Sequence, residues 1–155
     1  FKEARASLRA SVQVSPKWRR ADETFLFLAR VERRLDQLDI ARQTVRDMLK
    51  EFPDSTLRDQ AHYRLGEFEY AAGDYAAAVR HYGDLVKNWP KSKFAPFAVY
   101  GRGWSELQAK NFKDATASFG VLMEKYPNHS LVADSLLAFW VSLVSCAGCW
   151  HTPTA

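Results

Sequence analysis

Hydrophobic and small residues recur along this chain with a constant step of 37 residues. Four of the six prolines follow the step: Pro16, Pro53, Pro90 and Pro127. Four alanines follow it as well: Ala4, Ala41, Ala78 and Ala115. A third series is always large and apolar: Phe1, Leu38, Tyr75 and Phe112. Chance does not align this many positions, so the chain is predicted to consist of repeated structural units.

Each unit shows the pattern of two helices separated by a short break. Between residues 57 and 72, Ala61, Leu65 and Phe68 recur at the three- and four-residue intervals of a helix. Gly73 and Asp74 are predicted to end this helix and to cap the next one. Glycine relaxes the backbone at a helix end, and aspartate accepts hydrogen bonds from the free N–H groups of a first turn.

The second helix of the same unit is predicted to start at Tyr75 and to end at Trp89. It ends there because Pro90 disfavours helical geometry in the residue before it. Ser55 and Ser92 precede the first helices of two successive units. Serine is a favoured N-terminal cap, so both are predicted to cap those helices.

One position in the first helix of each unit is always small: Ala29, Gly66 and Gly103. A small residue allows two antiparallel helices to approach closely, so Gly66 is predicted to face the site near Ala78, and Gly103 the site near Ala115. Aromatic side chains of the second helix are then expected to fill the space against the following helix. A single hairpin cannot bury its own apolar face, so the units must stack.

The residues of the second full unit resemble the tetratricopeptide repeat signature. The matching residues are Ala61, Tyr63, Leu65, Gly66, Tyr70, Gly73, Asp74, Tyr75, Ala78, Tyr82 and Pro90. The period is longer than is usual in that family, and the extra residues fall in the loop 90–96. This variant resembles repeat proteins of the bacterial cell envelope, such as outer-membrane barrel-assembly lipoproteins and Tol-Pal-associated proteins. The resemblance implies a periplasmic location and partners among envelope-assembly proteins.

The resemblance implies an all-α fold, a right-handed superhelix (α-solenoid) of antiparallel helix hairpins with a 37-residue period. The array is expected to span residues 1–134, with a partial unit at 1–20 and full units at 21–57, 58–94 and 95–131. Phe1 matches the first residue of a second helix, and the chain has neither an initiator methionine nor a leader-like segment. The chain is therefore expected to begin inside a longer gene product or after processing.

In tetratricopeptide arrays the first helices line a concave groove that holds the ligand. The resemblance assigns groove residues by column, that is, by equivalent positions 37 residues apart in successive units. The first full unit supplies Glu23, Leu26, Arg30, Arg33 and Arg34; the second supplies Gln60, Tyr63, Glu67 and Tyr70; the third supplies Phe97, Tyr100, Trp104, Leu107 and Gln108. Such a groove suits a peptide with acidic residues at one end and apolar anchors at the other. The alternative is that several of these aromatic side chains pack between helices instead.

The positive charge of the chain lies in its first third. The formal net charge is +4, and residues 1–52 carry twelve Lys/Arg against eight Asp/Glu, whereas residues 53–155 carry ten of each. An arginine excess allows the alternative of a nucleic-acid-binding helical repeat, which would bind more weakly as salt increases. The basic residues are less densely clustered than those of nucleic-acid binders usually are. A solvated helix surface is therefore favoured, and nucleic acid is an unlikely partner.

No group of residues predicts catalysis, and the protein is expected not to be an enzyme. His62, His81 and His129 occupy different columns and are interpreted as ordinary surface or loop histidines. Cys146 and Cys149, with His151 nearby, allow a redox dithiol or a metal site, but the pair lies in a terminal tail and a fourth ligand is missing. No cofactor, metal ion or small-molecule substrate is therefore expected.

The chain ends in an apolar segment, residues 135–155, which contains no Asp, Glu, Lys or Arg. Its apolar stretch of about 15 residues is shorter than the ~20 that a membrane-spanning helix needs. It is predicted to be the first helix of an atypical or truncated fourth unit, in which Trp140 occupies the small column. Self-association through residues 135–150 is the second alternative function.

Overall fold

Eight α-helices make up the secondary structure of the part of the chain that the computed structural model describes, residues 1–14, 18 and 20–147. Their bounds are α1 Lys2–Val14, α2 Ala21–Arg34, α3 Leu38–Glu51, α4 Arg58–Ala71, α5 Tyr75–Asn88, α6 Ala95–Gln108, α7 Phe112–Lys125 and α8 Leu131–Ala147. Helices α2, α4 and α6 begin 37 residues apart, and so do α3, α5 and α7. The predicted all-α helical repeat is confirmed.

The helices pack in chain order, each against the next, from α1 to α8. Apolar side chains form a succession of clusters between them, one shared by α2, α3 and α4, one by α4, α5 and α6, and one by α6, α7 and α8. Each unit thus buries its apolar face against its neighbours, as a stacked repeat must.

A left-handed residue turns the chain inside each hairpin. Asp36, Gly73 and Lys110 occupy one column and have φ angles of 59°, 81° and 61°. Directly after Gly73, Asp74 caps α5 by accepting a hydrogen bond from the backbone N–H of Ala77 at 2.9 Å. The predicted break at residues 73 and 74 is confirmed, and two units make the same turn without glycine.

Ser55 and Ser92 do not cap helices, so that prediction is wrong. The residues preceding α4 and α6 are Leu57 and Phe94, neither of which makes a side-chain cap. The serine hydroxyls lie earlier in the connecting turns, where each accepts a hydrogen bond from the backbone N–H two residues later at 3.0 Å. Each also donates to a carboxylate in the first turn of the preceding first helix, Asp22 for Ser55. The serines therefore link successive units.

The nearest neighbours of the glycines in the small column are aromatic rings, which lie one helical turn beyond the alanines named in the prediction. A Cβ atom on Gly66 would lie 2.4 Å from the ring of Tyr82 on α5, and one on Gly101 of α6 would lie 2.7 Å from the same ring. A Cβ on Gly103 would lie 2.8 Å from the ring of Phe119. The partner is thus one helical turn beyond the expected alanine, because the ring needs the room that the glycine leaves.

Buried glutamates occupy one column of the repeat, and two of them link neighbouring units, a feature that was not predicted from the sequence. Its members are Glu32, Glu69 and Glu106, and none exposes more than 2% of its surface. Arg9 of α1 pairs with Glu32 at 3.0 Å, and Arg46 of α3 pairs with Glu69 at 2.6 Å. Both arginines belong to the preceding unit and are themselves 37 residues apart. The column could have been found from the same 37-residue step.

Helix α8 packs against α7 and α6 but leaves one of its sides uncovered by the described residues. Leu137, Trp140 and Val144 are 72%, 59% and 65% exposed, whereas Ala138 and Ser142 are buried. Searched over the described residues, the chain has no helix that combines the length and apolar character needed to cross a membrane. Cys149 and His151 of the tail lie outside the described residues, so the structure says nothing of the cysteine pair.

Candidate partner-binding groove

The first helices of the units lie on the inner side of the array. Helix α4 contacts α6, and α6 contacts α8, whereas no two of the second helices α3, α5 and α7 contact each other as extensively in the described part of the chain. Units that touch through one row of helices and separate along the other bend toward the first row. The side chains of α2, α4 and α6 that point away from the second helices therefore face a shared groove.

One part of this groove is a cavity of about 520 Å³ that we call the aromatic pocket. Its lining residues are Tyr63, Glu67, Tyr70, Tyr82, Phe97, Tyr100, Gly101, Trp104 and Leu131. They come from α4, α5, α6 and the start of α8, so two successive units and the beginning of a third contribute. Residues spaced by three and four positions share one face of a helix, which brings the α4 and α6 side chains together.

The aromatic rings of this pocket are fixed by contacts with one another. Tyr63 stacks on Phe94, with ring centroids 5.2 Å apart and an interplanar angle of 20°. Tyr100 and Trp104 meet edge to face at 6.1 Å, and both pack on the buried ring of Phe119, at 6.2 and 6.0 Å. The same rings therefore pack between helices and present a face to the pocket, so packing between helices does not remove them from the groove.

Three tyrosines of the pocket, Tyr63, Tyr70 and Tyr82, have raised pKa values and remain protonated at neutral pH. Burial, with the nearby Glu67 carboxylate, raises the pKa of Tyr63 to about 12. Burial also raises the pKa of Tyr82 and of Tyr70. Gln108 is exposed, lies next to Tyr70 and interacts with its hydroxyl without lining the pocket. The pocket therefore offers neutral aromatic surface with hydroxyl donors.

The adjoining part of the groove is a cavity of about 340 Å³, the arginine pocket. Its lining residues are Arg30, Arg33, Arg34, Arg64, Glu67, Phe68 and Ala71. Four guanidinium groups face one lining carboxylate, that of Glu67, which Arg64 holds at 2.6 Å. The pocket therefore has an excess of positive charge, in the form that pairs best with carboxylates.

Nine of the ten residues that define the predicted binding groove line these two pockets. Arg30, Arg33 and Arg34 lie in the arginine pocket; Tyr63, Tyr70, Phe97, Tyr100 and Trp104 lie in the aromatic pocket; Glu67 lines both, and Gln108 stands at the side. Of the wider prediction, Leu26 is 2% exposed and packs in the core, and it also lines a smaller cavity of about 160 Å³ with Glu23, Arg30 and Gln60.

Six further lining residues were not predicted: Arg64, Phe68, Ala71, Tyr82, Gly101 and Leu131. Arg64 could have been found from its neighbour Tyr63 and from Glu67 three positions later, since the three share the exposed side of α4. Gly101 forms part of the wall because its missing side chain lets Tyr82 reach the pocket from α5. That contact depends on the distance between helices, which the sequence pattern does not contain.

The interpretation of His62 and His81 as surface or loop histidines is wrong. Both are half-buried within the α4–α5 hairpin, and their ring centroids lie 5.7 Å apart. They belong to neither pocket. His129 does lie in a loop, where its Nδ1 accepts from the backbone N–H of Leu131 at 3.3 Å.

Comparison with known proteins identifies the repeat. The chain matches a family model described as tetratricopeptide repeat over residues 26–93 and again over 63–129. It is similar to the crystal structure of a tetratricopeptide repeat protein from Parabacteroides merdae ATCC 43184, with a TM-score of 0.75 at 17% sequence identity. That similarity covers 90% of this chain and 52% of the other, so the chain spans about half the length of that protein and shares its fold. Among curated proteins, no sequence matches. Neither match points to the cell-envelope variant.

Proposed function

Because the chain belongs to the tetratricopeptide repeat family, we propose that it is a non-enzymatic scaffold that binds a segment of a partner protein in its groove. Tetratricopeptide repeats generally mediate protein–protein interaction. The bound segment would be a peptide that places an apolar or aromatic side chain in the aromatic pocket. Its acidic residues would lie in the arginine pocket.

The observation that carries this proposal is the adjacency of the two pockets. They share Glu67 as a lining residue, so a single extended or helical peptide can contact both. The aromatic pocket, at about 520 Å³, lies within the ~300–1,000 Å³ that well-formed ligand sites occupy. Tyrosine, tryptophan and arginine are also the residues that contribute most to binding at protein interfaces.

The two pockets are expected to contribute differently to binding. Burying one large apolar side chain supplies about 1.5–3 kcal/mol, and each hydrogen bond to a charged group supplies about 1.5–3 kcal/mol. Ordering the peptide offsets part of this gain, so we expect a dissociation constant in the micromolar range, about −8 kcal/mol. The arginine contribution should weaken as salt increases, whereas the aromatic contribution should not.

The test uses a displayed library of random linear peptides selected against the chain, followed by fluorescence anisotropy with the selected peptides. The selected peptides should carry an aromatic or leucine residue and, several positions away, acidic residues. Tyr100→Ala with Trp104→Ala should weaken binding at least tenfold at all salt concentrations. Arg30→Glu with Arg34→Glu should weaken it mainly at low salt.

Matched controls change the same residue types outside the groove. Trp140→Ala removes an exposed aromatic ring on α8, and Arg80→Glu reverses an exposed charge on α5. Neither should change the affinity. Far-UV circular dichroism must show that the Tyr100 and Trp104 variant keeps its helices, since both rings pack on Phe119. Equal binding by the groove variants and the controls would refute the proposal.

A finer proposal is that the partner is an assembly protein of the bacterial cell envelope and that the protein is periplasmic. Its support is the loop from Trp89 and Pro90 through Ser92 to Pro96, which resembles the unit boundary of envelope repeat proteins. Fractionation of the native cells tests the location. Recovery of the full-length protein with cytoplasmic markers would remove this part of the proposal and leave the groove proposal unchanged.

Self-association through α8 is a second candidate function, which the exposed stripe of Leu137, Trp140 and Val144 favours. Exposed apolar stripes of this kind often mark contact surfaces. Light scattering coupled to size-exclusion chromatography should then show a mass that rises with concentration, and Leu137→Lys with Val144→Lys should abolish the rise. A monomer mass over the whole concentration range would exclude this function.

A further inference from the structure

The second full unit places two histidines where the other units have ordinary core residues. The column of His62 contains Phe25 and Val99, and the column of His81 contains Thr44 and Ser118. In those two units the hydroxyl donates to the buried glutamate of the same unit at 2.6 Å. His81 makes no such bond to Glu69 in the described part of the chain, and Arg42 and Arg46 lie 2.9 and 2.6 Å from that carboxylate instead. The repeat thus shows that the fold does not require these imidazoles.

The two imidazoles converge with a carboxylate. His62 projects from α4, and His81 and Asp84 project from α5, three positions apart on one face. One ligand atom from each of the three residues lies within 4.8 Å of the other two, and Nδ1 of His62 lies 4.0 Å from Oδ2 of Asp84. The Asp84 side chain is 54% exposed, which leaves the cluster open to solvent on that side.

The buried nitrogen atoms of both rings lack partners. Nδ1 of His62 and Nδ1 of His81 are buried and have no hydrogen-bond partner among the described residues. Burial lowers the pKa of His62 to about 4 and also lowers the pKa of His81, so burial favours the neutral form of both rings. A neutral imidazole has a free lone pair, which is the form that binds metal ions.

We propose that His62, His81 and Asp84 bind a divalent transition-metal ion, Zn²⁺ in the first place, with water completing its coordination. Two imidazoles and one carboxylate suit Zn²⁺, Cu²⁺ or Ni²⁺ better than Mg²⁺ or Ca²⁺, which prefer oxygen ligands. The ion would join α4 to α5 within one unit. None of the three residues lines either groove pocket, so the site stands apart from peptide binding.

The geometry requires a modest closure of the cluster. Tetrahedral Zn²⁺ with bonds of about 2.0–2.1 Å separates its ligand atoms by about 3.3 Å, so the most distant atoms must approach by about 1.5 Å. The exposed Asp84 can supply most of this movement by changing rotamer.

The charges near the cluster have opposing effects. Asp84 and Glu69 favour a cation there, whereas Arg58 lies near His62, and Arg46 and Arg80 lie near His81. A site with one carboxylate ligand and nearby arginines should bind Zn²⁺ less tightly than a closed structural site with thiolate ligands.

Isothermal titration of ZnCl₂ into the tag-free chain at pH 7.5 tests the proposal. Every sample carries Cys146→Ser and Cys149→Ser, so that the tail thiols cannot bind the ion. His62→Val with His81→Ser copies the residues of the third unit and should abolish binding. Asp84→Asn should weaken it at least tenfold, because even an outer-shell partner changes metal affinity by about 10–100-fold. His129→Ser copies the serine of its own column and serves as the matched control.

The expected result is one Zn²⁺ per chain for the parent and for His129→Ser, with visible Co²⁺ absorption bands of a four-coordinate site that Zn²⁺ removes. MgCl₂ should give no heat of binding. Absence of Zn²⁺ binding by the parent would overturn the proposal. The proposal would also be overturned if Asp84→Asn and the double histidine variant bound Zn²⁺ as tightly as the parent. If the double variant loses its helical circular dichroism, Asp84→Asn alone decides, since that side chain is largely exposed.

Discussion

Replacing Gly66 by alanine should destabilise the protein, although alanine is the better helix former. The added Cβ would lie 2.4 Å from the Tyr82 ring, closer than carbon atoms pack. The ring cannot retreat toward α6, because Gly101 on that helix already lies against its other side. The side chain of Tyr82 is buried between the two glycines, so the change requires the helices to separate.

The magnitude follows from two opposing terms. Exchanging glycine for alanine inside a helix gains about 1 kcal/mol of helix propensity. Bringing the contact to an ordinary 3.4 Å requires a shift of about 1 Å, and overpacking of a close-packed core costs about 1–3 kcal/mol. Because the ring is confined on both sides, we place the cost near the upper end. The free energy of unfolding should therefore fall by about 1–2 kcal/mol.

Urea unfolding followed by far-UV circular dichroism measures the effect. The matched control is Gly83→Ala on α5, where an added Cβ meets no atom within 4 Å. This control should be more stable than the parent, by up to about 1 kcal/mol, since only the propensity term remains. If Gly66→Ala proves as stable as Gly83→Ala, the confinement of Tyr82 is not what the structure indicates.

A double-mutant cycle isolates the contact itself. The first full unit has Ala29 and Val45 in the columns of Gly66 and Tyr82, so Gly66→Ala with Tyr82→Val restores a pair that the protein already uses. Tyr82→Val alone removes a buried ring and destabilises. The combined variant should be more stable than the sum of the single effects by about 1–2 kcal/mol, as expected for side chains in direct contact. Strict additivity would refute the reasoning.

Two further predictions concern the hairpin turn and the buried glutamates. Lys110→Gly should stabilise the protein by about 0.5–1 kcal/mol in urea unfolding, because a left-handed lysine costs about 1–2 kcal/mol and the flexibility of glycine in the unfolded chain returns only part of this. Lys113→Gly, in the first turn of α7, should instead destabilise by up to about 1 kcal/mol, because glycine is a poor helix former. Equal effects at the two sites would contradict the turn assignment. Glu69→Gln should destabilise the protein by about 1–3 kcal/mol, since Arg46 loses a buried charged partner. Glu67→Gln breaks the partly exposed pair with Arg64 on the same helix and should change stability by less than about 1 kcal/mol. A larger effect at Glu67 than at Glu69 would contradict the linking role of Glu69.

The helices and their order could be predicted from the sequence because the same pattern of residues recurs in every unit. The starts of α2, α4 and α6 follow one another in a register that the prolines and alanines already show. Nine of the ten residues predicted for the groove line the two pockets, because residues of one column face the same way in every unit. Periodicity determines which side of a helix a residue occupies, and the family supplies the side that faces the groove.

What the sequence did not predict depends on how one helix crosses another. Gly66 was predicted to face the site near Ala78, and its nearest neighbour is the ring of Tyr82, one turn farther along α5. His62 and His81 lie 19 positions apart in different columns, and their proximity results from the crossing of α4 and α5. The crossing angle of two helices and the distance between them depend on the volumes of the side chains that interlock at their contact. These side chains belong to several columns, so no single column predicts the geometry.

The ring of Tyr82 acts as a spacer for three helices at once. It belongs to α5, it touches a glycine of α4 and a glycine of α6, and it forms part of the wall of the aromatic pocket. Its size therefore sets the opening between the two helices that hold Tyr63 and Tyr100. A narrower residue at this one position would let α4 and α6 approach each other, and the pocket between Tyr63 and Tyr100 would become narrower. If a peptide binds as proposed, we therefore expect position 82 to set the size of the anchor side chain that the pocket accepts.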